Sequence, residues 1–143
     1  MPTSYGRRLQ IGLGAAIVLG SVATNASAAD CYERSMGVTS KLLACGQVDL
    51  EEADAALNAA WKNLRAKARR RDRQAVDGWS MADALLRAQR AWLTYRDNHC
   101  EAEVGGERGV SMGAIIHQGC LIVVTQERTK ELRSLAGSPH MDF

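Results

Sequence analysis

Between Pro2 and Pro139 the chain contains no proline. Proline removes a helical hydrogen-bond donor and clashes with the turn before it, so nearly the whole chain is open to uninterrupted helix. Apolar residues recur at three- and four-residue spacing, and strand-type alternation is nearly absent. The expected class is all-α, a small bundle of three longer helices plus a short N-terminal helix, stapled by two disulfides. The short helix should start after Thr39 and run to about Cys45. The second should start with Asp49 as N-cap and Glu52 three residues on, a capping box, and run to about Arg71. The third should start at Ser80 with Asp83 at the third helical position and run to about Glu103. Gly105, Gly106 and Gly109 then make a loop, and the fourth helix runs from near Ser111 to Gly137, just before Pro139.

At 100° per residue, Leu50, Leu57, Trp61, Leu64 and Ala68 share one stripe of the second helix, with Asp54 at its edge. Leu85, Ala88, Trp92 and His99 line a face of the third, which also holds Gln89 and Arg96. Leu121, Val124, Leu132 and Leu135 line a face of the fourth around Arg128. Polar groups inside apolar stripes are costly unless they satisfy one another. Asp54, Gln89, Arg96 and Arg128 are therefore expected to meet between helices as a structural polar network, with Asp54 pairing to Arg96 or Arg128.

Arg7 and Arg8 precede the uncharged apolar run Leu9 to Val22, and Ala26-Ser27-Ala28 follows with a small-x-small cleavage pattern. That run is shorter than the roughly 20 residues of a transmembrane helix. Residues 1–28 are expected to be a cleaved signal peptide of the general secretory route, leaving a single domain over 29–143 that begins at Ala29. Asp30 stands where a lipobox needs a small residue before Cys31, so the product is expected without a stable membrane anchor, periplasmic or secreted. The leader holds two basic residues and no acid, so the 18 basic residues of the full chain fall to 16, equal to its 16 acidic ones. This net charge of zero argues neither for nucleic acid nor for an anionic membrane. Cys31, Cys45, Cys100 and Cys120 all follow the leader, and an even cysteine count in a short exported domain reads as two disulfides. Of the three possible pairings, proximity along the chain favours 31–45 and 100–120.

No constellation for catalysis is apparent. None of His99, His117 and His140 lies in a recognised motif with a serine or cysteine nucleophile. His99, Cys100, His117 and Cys120 imitate a mixed zinc site, but disulfide formation is the better use of those thiols in an oxidising compartment. Neither a metal nor another cofactor is expected. Asp49, Glu51 and Glu52 suit a helix N-terminus, and the basic run Lys62, Arg65, Lys67, Arg69, Arg70, Arg71 and Arg73 suits a solvated helix C-terminus. If functional, that run would meet lipopolysaccharide or another anionic wall component.

The segments Ala53-Asp54-Ala55-Ala56-Leu57-Asn58 and Gln89-Arg90-Ala91-Trp92-Leu93-Thr94-Tyr95-Arg96-Asp97 with Cys100, then Gly119-Cys120-Leu121, Thr125, Arg128 and Leu132, carry a resemblance. Together with Cys31 and Cys45 they make the chain similar to the lysozyme inhibitor LprI-like N-terminal domain family of bacterial exported proteins. Trp61 replaces the usual tyrosine, and the basic run lies outside the family pattern. The resemblance implies a non-enzymatic helical domain that binds, and by its name inhibits, a lysozyme. The rival readings are an assembly module that binds another envelope protein and an immunity protein against a secreted toxin. The stapled 101–119 loop is the expected contact, through Glu101, Glu103, Glu107 and Arg108, because a rigid loop loses less entropy on binding.

Overall fold

A computed structural model describes residues 33–76 and 78–139. The expected leader, its cleavage site and Cys31 lie outside these residues. Three long helices make the fold: α1 (Thr39–Asp72), α2 (Met81–Val104) and α3 (Ser111–Ala136), with a 3-10 turn at Gly105–Glu107. Among the described residues there is no strand, and no helix is long and apolar enough to cross a membrane.

The largest departure from expectation is α1. The separate short helix and the capping box at Asp49 do not exist; one helix of 34 residues runs through both. Asp49 is buried in mid-helix, and Arg34, from the segment preceding α1, reaches its carboxylate at 3.6 Å. An N-cap signature acts only where a helix begins, and tertiary contact carries this helix past it. Gly46 does not break α1 because α3 packs on it: an added Cβ would run into the Gln118 side chain. Gln118 Nε2 in turn donates to the Leu43 carbonyl at 3.2 Å.

Side-chain pairs fix the topology. Gln118 meets Leu43 near one end and Lys67 Nζ donates to the Ala136 carbonyl (2.7 Å) near the other, so α1 and α3 run parallel. Arg128 with Gln89 and Cys100 with Cys120 set α2 antiparallel to α3. The main apolar cluster lies toward the C-terminal end of α1. It joins Leu57, Ala60, Leu64 and Ala68 to Ala82, Leu85, Leu132 and Ala136, with Trp61, Met81 and Trp92 packed against it. The buried stripes keep Leu57, Leu64 and Ala68 on α1, Leu85 on α2 and Leu132 on α3 as expected, but shift at their edges. On α1, Ala53 and Ala60 are buried while Leu50 and Trp61 are only partly so; on α2, Ala88 is exposed. On α3 the buried line runs through Cys120, Ile122, Thr125, Thr129, Leu132 and Ala136, and Leu135 is largely exposed. Small and β-hydroxy residues occupy the close helix contacts because they let the backbones approach, which apolarity alone does not reveal.

The α1–α2 corner is a side-chain clamp. Asp72 accepts the backbone N–H groups of Met81 (2.8 Å) and Ala82 (3.0 Å) and the Ser80 hydroxyl (3.0 Å). Ser80 is the N-cap and accepts the Asp83 N–H at 3.2 Å, as its sequence position predicts. The orphan donors of a helix start are thus satisfied by two side chains. Burial pushes the Asp72 pKa upward, but the hydrogen bonds from Ala82, Met81 and Ser80, with the Arg71 charge, outweigh it and hold the carboxyl below its ordinary value. A carboxyl with a depressed folded-state pKa adds stability that is present above the ordinary carboxylate range and is lost as pH falls through the lowered value. Thermal melting across the acid range should show this as a falling midpoint, and Asp72→Asn should shrink the fall. An unchanged acid limb in Asp72→Asn would remove Asp72 from the clamp.

At the other corner α2 runs on to Val104 and α3 begins at Ser111, so the expected 101–119 loop is the tip of a helical hairpin, with non-α chain only at 105–110. Gly113 is required there, since an added Cβ would strike the Glu107 carbonyl. Cys100 and Cys120 are bonded (S–S 2.01 Å) and both are buried. This is one complete cystine among the described residues where two were expected. Cys45 is also disulfide-bonded, and its expected pairing with Cys31 falls outside them.

Candidate functional site

The bundle has a polar waist and two differently charged ends. At the waist, Trp92 on α2 lies beneath two guanidinium groups, Arg96 at 5.5 Å and Arg128 at 5.8 Å from the ring centroid. Arg96 Nη1 reaches Asp54 Oδ1 of α1 at 3.3 Å and Thr125 Oγ1 of α3 at 3.4 Å, and its Nε reaches Asp97 at 3.0 Å. Arg128 Nε donates to Gln89 Oε1 at 3.1 Å and Nη1 to Glu131 at 2.8 Å. Asp54 and Thr125 therefore hold one of the two arginines over Trp92, and Gln89 holds the other. Each arginine thus pairs with a residue of another helix and with an exposed acid of its own helix.

Arg96 is enclosed (side chain 16% exposed), but Asp54 is 46% exposed. A pair with one half-solvated partner contributes little. Asp54→Ala should therefore destabilise by about 0.5–1 kcal/mol, well short of the several kcal/mol of a buried pair. Urea denaturation decides between them.

The end formed by the start of α1, the end of α2 and the start of α3 is rich in acids. Glu101 pairs with Arg108 at 2.9 Å, and Glu103 with His99 at 3.1 Å; all four are substantially solvent-accessible, as is Glu107. Tyr95 stacks on His99 with centroids 5.2 Å apart. Glu51, Glu52 and Asp97 extend the acidic surface along α1 and α2. Beside the Glu101–Arg108 pair an open cleft of about 670 Å³ is lined by Leu43, Val104, Val110, Ala114 and His117. Val110 and Met112 are exposed at this end, and Met36, at φ 51° and 76% exposed, lies just ahead of α1. A bulky residue held in the left-handed region is strained, and such strain clusters at functional segments. Among these acids and the apolar rim, sequence reasoning had found only Glu101, Glu103, Glu107 and Arg108. No periodic signal joins Leu43, Val110 and His117, which come from three separate segments.

The metal-like constellation is resolved by the cystine. Both thiols of the His99, Cys100, His117, Cys120 set are consumed by the disulfide. His99, Glu103 and Cys120 do converge, with ligand atoms within 4.8 Å of one another, but a cystine sulfur is not a thiolate ligand.

The description "Lysozyme inhibitor LprI" belongs to a family whose model matches residues 28–132. The chain belongs to this family. The match takes in all of α1 and α2 and most of α3, with the waist, the acidic end and the cystine. A relative from Rhizobium meliloti (strain 1021), an uncharacterised protein, is 38% identical over 98 residues, covering 66% of this chain and 70% of the relative. No solved structure matches. In this LprI-family protein the sequence motif maps onto the waist, whereas the exposed acids and apolar rim lie at the hairpin tip.

Proposed function

We propose that this LprI-family protein is an exported, non-enzymatic protein of the bacterial envelope that binds a lysozyme-type muramidase through its acidic end and inhibits it. Membership of a family described as a lysozyme inhibitor supports the reading, and one feature carries it here: Glu101 lines an apolar cleft on a helical tip held by a cystine, with Glu103 and Glu107 exposed on the same tip. Many lysozymes are strongly cationic, so an acidic end steers their encounter even on a neutral protein. Val110, Met112 and Met36 supply apolar surface for the contact once formed. The disulfide and the leader-like residues 1–28 support export to an oxidising compartment.

The test is a muramidase assay with the oxidised protein against a panel of lysozyme types. Inhibition at micromolar concentration is expected for at least one cationic enzyme. Replacing Glu101, Glu103 and Glu107 together with glutamine should slow association about tenfold at low salt, with little change at high salt, where the steering field is screened. A folded wild type that inhibits none of the panel ends the inhibitor reading. Capture of a different envelope protein by the same end would then favour an assembly module.

A further inference from the structure

The opposite end of the molecule carries a second surface. Lys62, Arg65, Ala66, Arg69, Arg70 and Arg73 recur at three- and four-residue spacing on α1 and line a shallow recess of about 440 Å³. The row is about 16 Å long at 1.5 Å per residue. Among the described residues no ion pair engages Lys62, Arg65, Arg69 or Arg70, and Arg73 bonds only the Arg69 carbonyl, at 3.3 Å. Arg65 Nε is buried with no hydrogen-bond partner. Of the two acids near the end of the row in sequence, Asp72 is turned to the start of α2 and Asp77 lies outside the described residues.

A helix C-terminus favours cations only within its last turn. Lys62 and Arg65 lie further upstream, and Arg65, Arg69 and Arg73 are successive like-charge neighbours at four-residue spacing, which destabilises a helix. The charge is thus arranged against the interest of the helix. Four of the five cations are arginines, whose planar fork matches phosphate oxygens. Just beyond the row, in the connection to α2, Val76 is fully exposed and Trp79 is 52% exposed. Tryptophan beside basic residues is the combination that settles at a lipid headgroup layer. The row itself has no aromatic side chain on which a nucleobase would stack.

We infer that the basic row of α1, with Val76 and Trp79 at its end, docks this protein on the phosphate-bearing surface of an anionic phospholipid bilayer. The inference is independent of muramidase binding. It gives a locally basic surface to a chain whose charges nearly balance: the row on α1 gathers five cations, whereas Glu101, Glu103 and Glu107 lie at the hairpin tip. Docked in this way, the protein presents its acidic end away from the lipid.

Co-sedimentation of the oxidised protein with vesicles tests this. Binding is expected to vesicles of equal parts phosphatidylglycerol and phosphatidylcholine at low salt, and not to phosphatidylcholine alone. Lys62→Gln, Arg69→Gln and Arg70→Gln are all at exposed positions; combined, they should weaken partitioning about a hundredfold, at roughly fivefold per cation. The glutamine variant of the three tip glutamates should partition like the wild type. Trp79→Ala should weaken vesicle binding while leaving retention on a heparin column unchanged. Val76→Ser should do the same at a site too exposed to disturb the fold. Equal binding to phosphatidylcholine, undiminished binding of the triple variant, or no effect of either apolar substitution would each overturn the proposal. Retention by lipopolysaccharide or nucleic acid without binding to phosphatidylglycerol vesicles would overturn it as well.

Discussion

Leu64→Ala should lower stability by about 3–5 kcal/mol, a large part of the roughly 5–15 kcal/mol that holds a domain of this size together. Leu64 is fully buried in the apolar cluster, and four of the eight buried residues of that cluster are alanines. Leucine-to-alanine costs rise with the cavity left behind, and the cavity persists where surrounding side chains are too short to fold into it. Ala60, Ala68, Ala82 and Ala136 have no length to spare, which leaves only part of the surround able to close on the cavity. Urea denaturation should show a lower midpoint with an unchanged slope. A loss below about 1 kcal/mol would be typical of a surface position, and would remove Leu64 from the core.

The second large effect is at the other end of the bundle. Joint replacement of Cys100 and Cys120 by alanine should cost about 3 kcal/mol, the chain-entropy value for closing a segment of this length. Thermal midpoints of a domain this small would then fall by roughly 10–20 °C. Alanine is the right substitute because both sulfurs are buried and serine would leave a hydroxyl there without a designed partner. The loss should be concentrated at the tip. The main apolar cluster lies toward the far end, so the region around Glu101 to Val110 depends on the cystine and on the close helix contacts at Gly46 and Gly113. Amide hydrogen exchange should accelerate around the hairpin tip in the variant and change less around Leu64. Equal acceleration at both ends would show that the cystine stabilises the bundle as one unit.

Much of the architecture is legible in single residues. Ser80 and Gly137 mark the start of α2 and the end of α3 because caps are decided locally, by side-chain oxygens and by a chain that must leave the helix. The absence of interior proline announces an all-helical chain, and the polar residues within the apolar stripes announce that Asp54, Gln89, Arg96 and Arg128 need partners. The same reasoning put a helix start at Thr39, where α1 begins, but wrongly broke the helix between Cys45 and Asp49. The capping-box pattern at Asp49 and Glu52 is local, but Gln118 and Arg34, distant in sequence, cover that stretch and keep it helical. The stripes shift at their edges for a related reason: periodicity ranks residues by apolarity, whereas the tightest helix contacts select Ala53, Ala60, Thr125 and Thr129 for size.

What the sequence determined by itself is helical class, the caps at Ser80 and Gly137 and the family to which the chain belongs, because each depends on residue identity and near-neighbour spacing. Tertiary structure alone set Glu101, Glu103 and Glu107 at one end of the bundle and the basic row of α1 toward the other. It also gathered Leu43, Val110 and His117 into one cleft beside Glu101, and set Arg96 and Arg128 over Trp92. Those outcomes depend on which helices run parallel and where they touch, and a net charge or a helical period carries no information about either.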